Sequence, residues 1–267
     1  MKQRLKALLK KEVLMTREQA ENAVYIAISV GEGLLQNGAE AARVEDTVSR
    51  ILTAYGATRA DVFSITSSLV VTAHFGDFNT VTQTRRITSL RTDMERVCQL
   101  NQLSRDICNA VPVLTPEEAL PRLKKIFEGP GSPELLQILG YALVSGSFTV
   151  FFGGDAADCL AAAGIGAVLK LVDTVLGKGI SNRLLLALLW SLAGGILAHI
   201  AVSFGIGHHN DLISIGNIML YIPGIAFTNS IRDLFYGDTI SGVIRFLESV
   251  ILAITIAIGF TAAGLIL

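Results

Sequence analysis

The sequence predicts a soluble α+β N-terminal domain, residues 1–130, followed by an all-α membrane domain, residues 131–267, with five transmembrane helices. Three observations carry that prediction. The 267 residues are 51% hydrophobic and 17% charged, where soluble domains carry roughly a quarter charged residues. The charge is unevenly spread: residues 1–130 hold 17 of the 22 Lys and Arg and 15 of the 23 Asp and Glu. A breaker cluster, Gly129-Pro130-Gly131-Ser132-Pro133, stands where the composition changes.

Met1–Lys11 is a short basic amphipathic stretch, read as a solvated helix or one lying on anionic lipid. No apolar core follows it, so no cleavable signal is expected and the N-terminus is placed in the cytoplasm. Thr16 with Gln19 three residues on is a capping box, and Ala20, Ala23, Val24, Ala27, Val30 and Leu34 recur at helical spacing. Asn37-Gly38 supplies the left-handed stop. A second helix is expected over Ala39–Tyr55, with Glu40 near Arg43 and Asp46 near Arg50 as surface pairs or as a charged contact. From Arg59 to Thr88 β-branched and aromatic residues, with turns at Ser67-Ser68 and Gly76-Asp77, predict a three-stranded antiparallel meander. Helices return over Asp93–Ala110 and Thr115–Glu128, the latter with Pro116 at its first position and Glu117 and Glu118 in its first turn.

A span needs about 20 mostly apolar residues. Leu135–Phe152 and Leu184–Gly207 meet that need, as does Val243–Leu267, with Arg245 and Glu248 near its start. Ala156–Leu176 carries Asp158, Lys170 and Asp173, but its Ala161–Ala167 stretch is a small-residue surface that lets helices approach closely. Leu212–Phe227 is a broken span: Pro223 removes a backbone donor and Gly224 frees the dihedrals beside it. Backbone groups released by such a break survive only against protein or a wet cavity, so the break is either a kinked packing helix or part of a solute site. Lys170, Lys178, Arg183, Arg232 and Arg245 put the basic junctions in the cytoplasm and the C-terminus outside.

Ionisable groups at membrane depth are costly and mark function by default. Asp158 and His199 are candidates for proton coupling, against an interfacial carboxylate and a hydrogen-bonded helix residue respectively. Asn217 either binds solute or ties two helices together. Pro223, Gly224, Thr228, Asn229, Arg232 and Asp233, with Arg245 and Glu248 beyond, are candidates for binding the solute; Thr228, Asn229 and Arg232 would receive its carboxylate, which Arg holds in bidentate geometry. The competing reading for the charged ones is a salt-bridged collar.

Other classes lack support. Net charge −1 argues against nucleic acid as a main partner. Cys98, Cys108 and Cys159 form no metal or disulfide pattern. His208-His209 has no evident third metal ligand, so no metal and no cofactor is expected. No P-loop follows Gly177-Lys178 and no Ser/His/Asp or Cys/His grouping is legible, so the chain is not read as an enzyme.

Two stretches resemble the threonine/serine exporter family, ThrE. One runs from Gly31 to Thr47 and includes Glu32, Asn37, Gly38, Glu40, Arg43, Glu45 and Asp46. The other runs from Pro223 to Leu234, followed by Gly237-Asp238, Ser241-Gly242, Arg245 and Glu248. One position departs from the family pattern: Ala42 precedes Arg43 where an aromatic is usual. The resemblance implies secondary export of small polar metabolites across the cytoplasmic membrane, threonine or serine first and a dicarboxylate such as succinate second. It also implies a split form, completed by a second, smaller membrane protein, and leaves room for a homo-oligomer. A membrane-anchored regulatory or scaffold protein is the alternative of a different class.

Overall fold

The computed structural model describes residues 16–76, 79–176 and 182–266. The basic stretch Met1–Lys11, Asp77 of the second turn and the junction residue Lys178 lie outside the described residues. The chain divides into two compact units. One comprises residues up to Gly129 together with Thr228–Arg245; the other comprises Pro130–Phe227 and Phe246 onward.

The first unit begins with α1 (Arg17–Gln36), which starts as its capping box dictates: Thr16 Oγ1 accepts from Gln19 N while the Gln19 side chain accepts from Thr16 N. Asn37 ends it, and Gly38 follows at φ 94°, a conformation that favours glycine. Helix α2 (Ala41–Ala54) comes next, then strands β1 (Arg59–Ile65), β2 (Ser68–Phe75) and β3 (Asn79–Arg86), paired antiparallel in the order β1-β2-β3. Leu69, Val71, Ala73 and Phe75 alternate along β2 and are all buried, the period-2 pattern of a sheet with one covered face. Helices α3 (Met94–Asn109, capped by Asp93) and α4 (Pro116–Glu128, with a Thr115–Glu118 capping box) complete the layer. Helix α1 is the packing centre. A Cβ on Gly31 would stand 2.6 Å from Val48 and 2.7 Å from Leu69, and one on Gly33 would stand 2.8 Å from both Leu100 and Phe127. Only glycine lets α2, the sheet, α3 and α4 close on one helix at these points.

The second unit holds α5 (Glu134–Phe151), α6 (Ala156–Leu176), α7 (Arg183–Ser203) and α8 (Asn210–Ile218). Helix α9 (Gly224–Tyr236) and helix α10 (Thr239–Ile266) each contribute residues to both units. Among the described residues three helices are long and apolar enough to cross a membrane: α5, α7 and α10. Together with the apolar surface they leave exposed, they describe a membrane protein. Five such helices are not found among the described residues. Helix α6 has 21 residues but carries three charges. Helix α8 has nine residues, about 13 Å of rise, against a hydrocarbon core of about 30 Å.

Small residues set the helix spacing here. A Cβ on Gly166 would meet Tyr141 O at 2.9 Å, and one on Gly195 would meet Ala263 Cβ at 2.5 Å. On Gly216 it would meet Thr149 Oγ1 at 2.0 Å and Ser145 O at 2.6 Å. Such contacts let backbones approach where lipid supplies no hydrophobic drive.

Residues 228–245, read from the sequence as part of the membrane half, group instead with the first unit. The reason is polar and local: Asn229, Arg232 and Arg245 bond to Gly38, Glu40 and Ala39 before α2, and Ser241 bonds to Ser64 of β1.

Candidate functional site

Helix α2 starts with an open N-terminus. Glu40 occupies the cap position with no side-chain capping bond of its own, so the first backbone donors need partners from elsewhere. Asp233 lies near that end, beside the Ala41 amide. Its carboxylate is buried and sits 3.2 Å from an Arg245 guanidinium nitrogen. Burial pushes the Asp233 carboxyl above its ordinary range, against the pull of Arg245 and of the Ala41 amide. Arg245 also reaches the Ala39 carbonyl with both terminal nitrogens at 3.5 Å.

The surrounding contacts follow the same plan. Asn229 Nδ2 donates to Gly38 O at 3.1 Å, and Arg232 pairs with Glu40. Ser241 Oγ donates to Ser64 O at 3.1 Å. Glu45 accepts from Ser64 N at 2.7 Å and from Ser64 Oγ at 3.0 Å, and burial raises its carboxyl above the ordinary range. Residues 229–245 thus meet the loop and helix start at 38–40 and reach Ser64 of β1.

The other predicted residues fall outside that joint. Asn37 is buried, donating to Gly33 O at 2.7 Å and accepting from Arg91 at 3.0 Å. Glu32 accepts from Gln36 at 3.1 Å and lies 3.5 Å from Arg85. Asp46 pairs with Arg50 at 2.8 Å, whereas Glu40 takes Arg232 as its partner instead of Arg43. Arg43, Thr228 and Glu248 are exposed.

In the second unit the break predicted at Pro223-Gly224 is present. Helix α8 stops at Ile218, a turn spans 219–221, and α9 begins at Gly224. Released backbone groups find close partners: Leu220 N donates to Asn217 O at 3.2 Å, Gly224 N to Ile222 O at 2.8 Å, and Phe227 N to Pro223 O at 2.9 Å. Ile222, Gly224, Ile225 and Phe227 are exposed. Asn217 is fully buried, accepting from Ser145 Oγ at 2.7 Å and donating to Ile213 O at 3.0 Å. It ties α8 to α5.

Asp158, fully buried, anchors a loop. It accepts from the backbone amides of His208 at 2.7 Å, His209 at 3.0 Å and Asp155 at 3.2 Å, and from His209 Nδ1 at 2.7 Å. Asp155 returns a bond from Asp158 N at 2.9 Å and contacts His208 Nδ1 at 2.6 Å. The Asp158 amide and the His208 ring lower the Asp155 carboxyl below its usual range, and the Asp158 carboxylate raises the His209 imidazole above its own. Asp155, Asp158 and His208 place ligand-type atoms within 4.8 Å of one another; matched donors and acceptors account for that closeness without an ion. His199 Nδ1 lies 3.2 Å from Gly195 O and its Nε2 3.3 Å from Asn210.

One cluster escaped the sequence reading. Lys170 and Asp173 on α6 pair at 3.3 Å, Trp190 Nε1 on α7 donates to Asp173 at 3.0 Å, and the Lys170 ammonium stands 5.4 Å from the Tyr141 ring centre on α5. Opposite charges three residues apart in an apolar helix were the available signal.

A Corynebacterium glutamicum protein named threonine/serine exporter is 22% identical over 249 residues, which cover 89% of this chain and 50% of that protein. The chain thus spans about half the length of this relative. No solved structure matches. The family profile that matches is ThrE, described as "Putative threonine/serine exporter", over residues 25–267. That match takes in both units, and the chain therefore belongs to the threonine/serine exporter family.

Proposed function

We propose that the chain is a subunit of a secondary transporter that exports small carboxylate-bearing solutes, threonine and serine first, across the cytoplasmic membrane. The observation that carries this reading is the exporter-family match over residues 25–267. In this reading α5, α6, α7, the interrupted stretch Leu212–Phe227 and the stretch from Val243 onward form five spans, with the N-terminus cytoplasmic and the C-terminus outside. A second, smaller membrane protein completes the pathway.

The site residues divide by what they already hold. Asn229, Arg232, Asp233 and Arg245 are bonded to the start of α2 and its loop, so we assign them to fixing the first unit and not to holding solute directly. Asp158 and His199 are engaged by the 207–210 loop, which supports an anchoring role over proton coupling. The interruption at Pro223 and Gly224, with exposed Thr228 after it, stays with the solute path.

Retention of labelled threonine, serine and succinate in cells lacking the chain, with and without the second protein, tests the reading. Threonine and serine should accumulate and be cleared when the chain is restored. Accumulation of succinate alone would move the assignment to a dicarboxylate exporter. No change in any of the three would favour a membrane-anchored regulatory or scaffold role.

A further inference from the structure

The Lys170–Asp173 pair lies among aromatic side chains drawn from separate elements of the second unit. Tyr141 is the eighth residue of α5 and Trp190 the eighth of α7, each about 10 Å along its helix. Tyr141 and Trp190 therefore come from helix interiors and not from fringes. The two charged side chains are largely enclosed, 13% and 32% exposed. Tyr221, in the turn between α8 and α9, completes the group. It packs against the buried cluster that includes Leu169, the neighbour of Lys170, and its hydroxyl is buried with no hydrogen-bond partner among the described residues. Buried hydroxyls are nearly always bonded, so one without a partner calls for an explanation.

The inventory has a definite chemistry. Lys170 has three N–H donors, and one faces Asp173. Each Asp173 oxygen holds one contact, from Lys170 or from Trp190, leaving further lone pairs. Tyr221 offers one hydroxyl that can give or take. The charges of Lys170 and Asp173 cancel. A dianion would set its second carboxylate against Asp173, and a simple cation would meet Lys170. A zwitterion satisfies both, carboxylate to Lys170 and ammonium to Asp173, with a small side-chain hydroxyl left for Tyr221.

We propose that Lys170, Asp173, Trp190, Tyr141 and Tyr221 form a binding site for a zwitterionic α-amino acid, with preference for a small hydroxylated side chain. The proposal rests on the export reading only for the cargo's fate, because binding can be measured without transport. Trp190 is the positioning residue: its N–H holds one Asp173 oxygen while the other is free to turn from Lys170 to the ammonium.

The test is solute binding to the purified full chain in detergent, by titration calorimetry. Threonine and serine should bind. N-acetylthreonine, which lacks the ammonium, threoninamide, which lacks the carboxylate, and succinate should each bind at least about tenfold more weakly. Lys170→Gln and Asp173→Asn should each weaken threonine by roughly 10- to 100-fold, the range for hydrogen bonds to charged groups, while Lys170→Arg and Asp173→Glu retain binding. Asp173→Asn should also erase the preference for threonine over N-acetylthreonine, which a merely structural role would not do. Tyr221→Phe should weaken threonine roughly tenfold yet raise the melting temperature of the solute-free protein, because the unbonded hydroxyl is gone. If Asp173→Asn does not fold, Tyr221→Phe and the N-acetyl comparison on the parent protein decide. Unchanged threonine binding in Tyr221→Phe, or N-acetylthreonine bound as tightly as threonine, overturns the site. Normal threonine export by cells carrying Asp173→Asn likewise overturns it while sparing the export reading. Binding as described with no export overturns that reading and spares the site.

Discussion

Asp233 shows how much one side chain does when it reaches a distant helix end. It places a carboxylate beside the start of α2 and neutralises Arg245, which is itself buried. Removing one member of a buried pair leaves the other uncompensated, at a cost of about 3–5 kcal/mol. Asp233→Ala should lower stability by that order in denaturant unfolding of the first unit, and Arg245→Ala should do the same. Were the pair an exposed collar, either change would cost little. His209 answers to pH instead. Its ring gains a carboxylate partner in the fold, which raises its pKa. Its contribution is therefore complete below the unfolded value of about 6.5 and is lost as pH rises through the higher folded value. Asp155 runs the other way: its folded pKa is lowered, so its contribution is present above about pH 3.9 and is lost as pH falls through the lower folded value. The stability gap between the parent protein and His209→Gln should be widest near pH 5 and should shrink by pH 8, measured by thermal unfolding at each pH.

At the scale of elements, helix spacing in the second unit depends on missing side chains. Gly216→Ala would drive a methyl into Thr149 and the Ser145 carbonyl, and overpacking of this kind costs about 1–3 kcal/mol. The Asn217–Ser145 bond beside it should break, with a lower melting temperature in detergent; Gly164→Ala, where no atom lies within 4 Å, should be neutral. Local signals made the elements themselves legible. The Thr16 and Thr115 capping boxes fixed two helix starts, and alternation fixed the meander, because caps and periods act over a few residues. The break at Pro223 was equally legible. What held the pieces was not. Nothing near Glu40 announces that Arg232 will pair with it across 192 positions, and Arg43, three residues away, was the better local guess. The same holds for Asn217, whose partner Ser145 is 72 residues distant. Lys170 and Asp173 were visible in sequence, yet only the fold adds Trp190 and Tyr141 and turns two awkward charges into a cluster.

For the molecule as a whole, the first unit is assembled from two stretches of chain separated by the 98 residues Pro130–Phe227. A fragment ending at Gly129 should keep its α1-centred core but leave the start of α2 without Asp233. Adding a peptide of residues 228–245 should raise that fragment's melting temperature, and the same peptide carrying Asp233→Ala should not; equal effects of both peptides would show that the joint contributes only apolar area. The discontinuity also puts events in order during synthesis. At about 5–20 residues per second the ribosome needs about 5–20 s to make those intervening residues. Throughout that interval the nascent domain has its core but not its latch. It is finished only after α5, α6, α7 and α8 have been translated, so its final locking reports on how far the rest of the chain has been made.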